Sequence, residues 1–161
     1  NRIIYAGNNS AYYPHEVVHL YTYRAFAGQY HSWVDEGIAT YFGGSTGYDL
    51  AWHLQKLKAF LAEYPDYEIR ELAALQKDIP NGEYTTYFRY AIGGLLVQKI
   101  DEREGMKGLF EALRYGRSDA DYFRLLEDKL QVARADFGAY IKRAVAQLKP
   151  LSPEEMDRLR Y

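Results

Sequence analysis

The chain contains no cysteine, which excludes disulfides, thiolate metal sites and a cysteine nucleophile. No run approaches the roughly eighteen apolar residues that a membrane-spanning helix needs. No stretch has the Gly/Pro/Ser-rich composition of a linker, and 5 prolines are spread over 161 residues. An excess of positive charge is missing too: 20 basic against 22 acidic side chains leave a net charge of −2. Residues 1–80 carry 6 basic and 9 acidic groups, and residues 81–161 carry 14 and 13. Neither half is basic enough to bind nucleic acid by counterion release, and no Lys/Arg cluster forms a membrane-surface patch.

What is present describes a folded chain. Hydrophobic residues make up 48% and charged residues 26%, a balance that excludes disorder and suffices for the core of one domain spanning residues 1–161. The 17 tyrosines point to a Tyr-rich core or cleft. The chain opens on Asn1 with no charged n-region or apolar h-region, which leads us to expect a processed chain or a piece of a longer protein.

Most of the chain reads as helix. Residues 2–6 form a short β-type run closed by a turn around Gly7. Pro14 suits a first helical turn, and helical spacing continues to Phe26, ending at Gly28. A second helix is predicted from about Trp33 to Phe42, stopping at Gly43-Gly44. Leu50, Leu54, Leu57 and Leu61 share one helix face that ends before Pro65. A weaker helical piece at 68–75 and a break at 80–82 follow. The pattern then predicts a long helix from Tyr84 to Glu104, broken by Gly105, and further helices at 106–115, 119–130 and 133–148. Ser152-Pro153-Glu154-Glu155 has the form of a helix N-terminus. The fold class is mainly α.

The chemistry is concentrated in His15-Glu16-Val17-Val18-His19. Positions four apart lie on one helix face, so both imidazoles can reach a single ion at roughly 2.0–2.1 Å. Glu16 follows the first histidine directly and is placed to take a proton from a water in the ion's open position. A hydrolytic zinc site needs a third protein ligand. Sixteen residues separate His19 from Glu36, enough for the first helix to end, the chain to reverse and a second helix to return. Glu36 stands among Trp33, Val34, Ile38 and Ala39, where an unpaired carboxylate would be costly and a metal would pair it. The expected site is one Zn2+ per chain on His15, His19 and Glu36.

His-Glu-Val-Val-His at 15–19 followed by Trp33-Val34-Asp35-Glu36-Gly37-Ile38-Ala39 resembles the gluzincin metallopeptidases, particularly the branch of aminopeptidase N and leukotriene A4 hydrolase. The resemblance covers residues 12–42. It implies a gluzincin-type helical catalytic domain with at most a short or truncated β element at its N-terminus. It also implies zinc-dependent peptide-bond hydrolysis, with Glu16 as general base and a peptide or protein as substrate. An upstream domain of the same protein and an extracytoplasmic setting are further expectations of this kind. Tyr90-Ala91-Ile92-Gly93 is similar to the branch's Tyr-x-x-Gly helix opening, which makes Tyr90 the expected donor to the oxyanion, with Tyr87 next.

The departures are specific. The spacer between His19 and Glu36 is shorter than in the aminopeptidase branch. Thr40 stands where thermolysin has the acid that orients a ligand histidine. The motif that binds a substrate's free amine is missing, so endo- and exopeptidase action stay open. A non-hydrolytic module that binds protein or glycan partners is the alternative. A di-iron bundle would need a second Glu-x-x-His, and neither His31 nor His53 has a Glu three residues before it. His31 is expected in a solvated loop and His53 as an ordinary packed or exposed histidine. Arg89 is expected on the surface, with a substrate carboxylate as its functional alternative. Tyr12, Tyr13, Tyr21 and Tyr23 are expected to pack beside the motif, and the charged residues after 100 to form a solvated helix face.

Overall fold

The computed structural model describes residues 13–69 and 85–160. The expected strand at 2–6, the turn at Gly7, Tyr12, most of the helical piece at 68–75 and the break at 80–82 lie outside the described residues. So does the side chain of Tyr87. Glu68 and Ile69, at the start of that piece, are not helical.

The architecture is mainly helical. In chain order the elements are α1 (Pro14–Phe26), α2 (Ser32–Gly43), α3 (Leu50–Glu63), α4 (Thr85–Ala112), α5 (Asp119–Leu130), a 3-10 turn (Arg134–Asp136), α6 (Phe137–Ala146) and α7 (Pro153–Asp157). Among the described residues there is no strand, only isolated bridges pairing Tyr48 with Ser45 and with Arg160. No helix among them is long and apolar enough to cross a membrane.

The boundaries follow local chemistry. Pro14 occupies the first turn of α1, where its missing N–H costs nothing. The helix ends in a left-handed residue, Ala27, followed by Gly28 at φ +72°. Capping boxes at Ser118/Asp121 and Ser152/Glu155 start α5 and α7. Within α4 the backbone leaves helical geometry at Gly105, with φ +64°, at the predicted break. Lys129 of α5 spans it: its Nζ donates to Glu104 at 2.7 Å and also to Glu111. Most charged residues after 100 are exposed, as expected of a solvated face, and Lys129 is the buried exception among the described residues at 9% exposed. A cation flanked by two carboxylates holds the two halves of α4 at a fixed bend.

Helix α4 is the centre of the fold. Ala91, Ile92, Leu95, Leu96 and Ile100 are buried against α2 and α3, and the apolar cluster continues through Phe123, Leu126, Phe137 and Ile141. Two glycines of α2 determine how closely its neighbours approach. A Cβ on Gly37 would lie 2.5 Å from the Gly93 carbonyl oxygen of α4, and one on Gly43 would lie 2.4 Å from the His15 nitrogen of α1. Real Cβ contacts are not that short, so both backbone crossings need glycine. They bracket Glu36 and His15.

Candidate metal centre

His15, His19 and Thr22 share one stripe of α1, and α2 lies across that stripe. Glu36, on the second turn of α2, points its Oε2 at both imidazoles. Oε2 is 3.2 Å from His15 Nε2 and 3.6 Å from His19 Nε2, and the two Nε2 atoms are 3.1 Å apart. The three expected ligands are therefore brought together, and their donor atoms form a compact triangle.

The triangle can be tested against the ion. Tetrahedral coordination with bonds of 2.0–2.1 Å requires donor atoms about 3.3–3.4 Å apart. The observed edges of 3.1, 3.2 and 3.6 Å scatter about that value. Donor chemistry agrees. His15 Nδ1 donates to the Gly44 carbonyl at 2.6 Å, and His19 Nδ1 donates to Asp35 Oδ2 at 2.9 Å. With each Nδ1 carrying its proton, the neutral imidazoles turn bare Nε2 lone pairs toward each other and toward a carboxylate. Three electron-rich atoms at this spacing repel unless a positive charge lies among them.

In the metal-free protein a proton supplies that charge. Burial opposes protonation of His19, but hydrogen bonds to Asp35 and Glu36 outweigh it and push its imidazole up to about 10. Burial alone would raise the Glu36 carboxyl. Hydrogen bonds from His15 and His19, with the charge of Arg89, hold it well below the ordinary carboxylate range instead.

The residues that orient the ligands were not legible in the chain. Asp35, directly before Glu36, fills the role left open at Thr40: it fixes His19, and its other oxygen accepts the Thr22 hydroxyl at 2.6 Å. Thr40 is fully buried, and its Oγ1 has no hydrogen-bond partner among the described residues. The only sequence signal for Asp35 was a second acid beside Glu36, and nothing in the spacing assigned it to a histidine. His15 depends on a main-chain oxygen, which side-chain identity does not encode.

Other expectations are corrected. His31 is not solvated: it is 6% exposed, its Nε2 donates to Asp119 at 3.0 Å, and its ring stacks on Tyr122. Its Nδ1 caps α2 by accepting from the Trp33 N–H, so a helix N-cap explains a histidine there. Arg89 is not a free surface residue: its Nη2 donates to Glu36 Oε1 at 3.1 Å. Tyr21 does not pack, being 72% exposed.

His53 is buried, and its Nε2 donates to the Ser45 carbonyl at 3.0 Å, anchoring the loop whose Gly44 carbonyl holds His15. Burial pushes its imidazole below the ordinary value, which keeps the ring neutral. Tyr90 places its ring edge-on to His15 at 5.7 Å between centroids, with His53 at 6.0 Å. Its hydroxyl has no hydrogen bond among the described residues. Glu16 is exposed and carries no ion pair among them.

Compared with known proteins, the chain matches no family model, no curated protein and no solved structure.

Proposed function

We propose that this chain carries a zinc-dependent peptide-bond hydrolase site of gluzincin type. The observation that carries the reading is the triangle of His15 Nε2, His19 Nε2 and Glu36 Oε2, with both Nδ1 atoms already committed to acceptors. Zinc held there supplies Lewis acidity toward a carbonyl and lowers the pKa of a water toward 7. The chain's own residues do the rest. Asp35 and Gly44 hold a proton on each Nδ1, so an entering ion displaces only the proton shared among the Nε2 atoms and Glu36, and the tautomer left behind is the ligating one. Glu16, one position past His15 and engaged by no ion pair or hydrogen bond among the described residues, accepts a proton from the attacking water and returns it to the leaving amine. The Tyr90 hydroxyl, unpaired in the described structure and beside His15, donates to the developing oxyanion as a neutral acid. The substrate class is a peptide or protein chain.

The test compares wild type with Glu16→Gln. The variant should keep about one equivalent of zinc by metal analysis and lose peptide hydrolysis by roughly 10²–10⁴-fold. Retained activity would remove Glu16 from the mechanism. One zinc per chain, with no cleavage of any peptide library by wild type, would instead establish the non-hydrolytic binding module.

A further inference from the structure

We propose that Arg89 is a positioning residue for this centre, holding Glu36 so that one oxygen, and not two, faces His15 and His19. The inference rests on the reading of His15, His19 and Glu36 as a metal site and adds a residue that determines how the third ligand binds.

The two oxygens of a carboxylate can both bind one cation unless something occupies one of them. Here Oε1 of Glu36 accepts from Arg89 Nη2 at 3.1 Å while Oε2 faces the histidines. A guanidinium stays charged at every accessible pH and repels a second cation, so Oε1 is turned away from the ion by electrostatics as well as by the hydrogen bond. The same charge cancels that of Glu36. Arg89 thus offsets one of the two carboxylates around the histidines, Glu36 and Asp35, and leaves more of a divalent ion's charge acting on whatever occupies its open position.

Glu36 is the one ion pair Arg89 makes among the described residues, and its Nε is buried without a partner there. No other acceptor among them accounts for the placement of a guanidinium that is 34% exposed on its side chain. The main chain brings it there. The close Gly37–Gly93 crossing, where a Cβ would meet a carbonyl oxygen at 2.5 Å, presses the first turns of α4 against the stretch of α2 that carries Glu36.

The experiment titrates zinc into the metal-free full chain as wild type, Arg89→Met, Arg89→Lys and His19→Ala, and records the visible absorption of each cobalt-loaded form. Far-UV circular dichroism checks folding, and Arg89→Gln replaces the methionine variant if that one fails to fold. The expected result for Arg89→Met is one equivalent of zinc still bound, with the change at the third ligand read in the cobalt spectrum. Its cobalt bands should lose intensity as Glu36 gives its second oxygen and the coordination number rises. Arg89→Lys should recover most of that intensity by returning a cation to Oε1. Unchanged cobalt bands in Arg89→Met, with His19→Ala failing to bind, would overturn the role of Arg89 alone. Equal zinc binding by wild type and His19→Ala, or no binding by wild type, would overturn the metal site itself.

Discussion

Replacing Gly43 by alanine adds one methyl group at the crossing of α1 and α2, and its consequence can be worked from the coordinates. The new Cβ would lie 2.4 Å from the His15 nitrogen, 2.6 Å from the Pro14 carbonyl carbon and 2.7 Å from the His15 Cα. All three are backbone atoms, so no rotamer change relieves the contact. To reach an ordinary van der Waals separation the helices must part by about 0.8–1 Å, and overpacking of this kind costs about 1–3 kcal/mol. The better helix propensity of alanine returns less than about 1 kcal/mol, since Gly43 is the last residue of α2. Gly43 has no positive φ, so backbone strain adds nothing. A net loss of about 1–2 kcal/mol corresponds to a fall in Tm of about 2–8 °C for a chain of this size. The site should suffer more than the fold, because the atoms displaced belong to the residue that carries one ligand. The His15 to Glu36 edge of 3.2 Å would open by a similar amount, beyond what tetrahedral coordination accepts, and zinc affinity should fall at least about tenfold. Differential scanning calorimetry and zinc titration read the two effects. Gly94→Ala is the control, because its Cβ meets only the side chain of Leu50. A Gly43→Ala protein with the melting temperature and zinc affinity of wild type would refute the argument that this crossing holds His15 in place.

Two further outcomes are expected. Asp35→Asn exchanges the charge-assisted hydrogen bond on His19 Nδ1, 2.9 Å long, for a neutral one. Zinc affinity by calorimetric titration should drop about 10–100-fold at unchanged stoichiometry, while an unchanged affinity would show that the carboxylate does not tune the ligand. The hydrogen bond from Lys129, with its charge, holds Glu111 below its ordinary value. A carboxyl depressed on folding stabilises the protein above its unfolded pKa and loses that contribution as pH falls. The urea midpoint should therefore decline between about pH 6 and pH 3, and less steeply in Lys129→Met; parallel declines would show that the staple across the bend of α4 is not coupled to folding.

The differences between expectation and structure have a common origin. His31 and Arg89 were assigned to solvent on the behaviour of their residue types in loops and on helix surfaces. One is instead the cap of α2, stacked on Tyr122, and the other lies against Glu36. The cap is a local contact with the Trp33 N–H two residues on, but the partners that hold His31 and Arg89, Asp119 and Glu36, are 88 and 53 residues away and leave no trace in local spacing. Glu36 shows the same limit from the other side. Its apolar neighbours in the chain marked it as a carboxylate needing a partner, but that reasoning named the metal alone. The coordinates show Arg89 satisfying one of its oxygens.

Local order was settled by the chain itself. Helical periodicity, Pro14 at a first turn, Gly28 and Gly43-Gly44 at helix ends and Gly105 at the break of α4 act within a few residues. So does the four-residue interval that stacks His15 over His19. Hydrogen bonding and steric exclusion over one turn of helix are enough to fix these features. Which atoms complete the site was decided by packing. The Gly37–Gly93 and Gly43–His15 crossings set the distances between α1, α2 and α4, and those distances select Asp35, the Gly44 carbonyl and Arg89 as partners of the histidines and of Glu36. Contacts between helices depend on the summed fit of whole faces, and no interval along the chain records that sum.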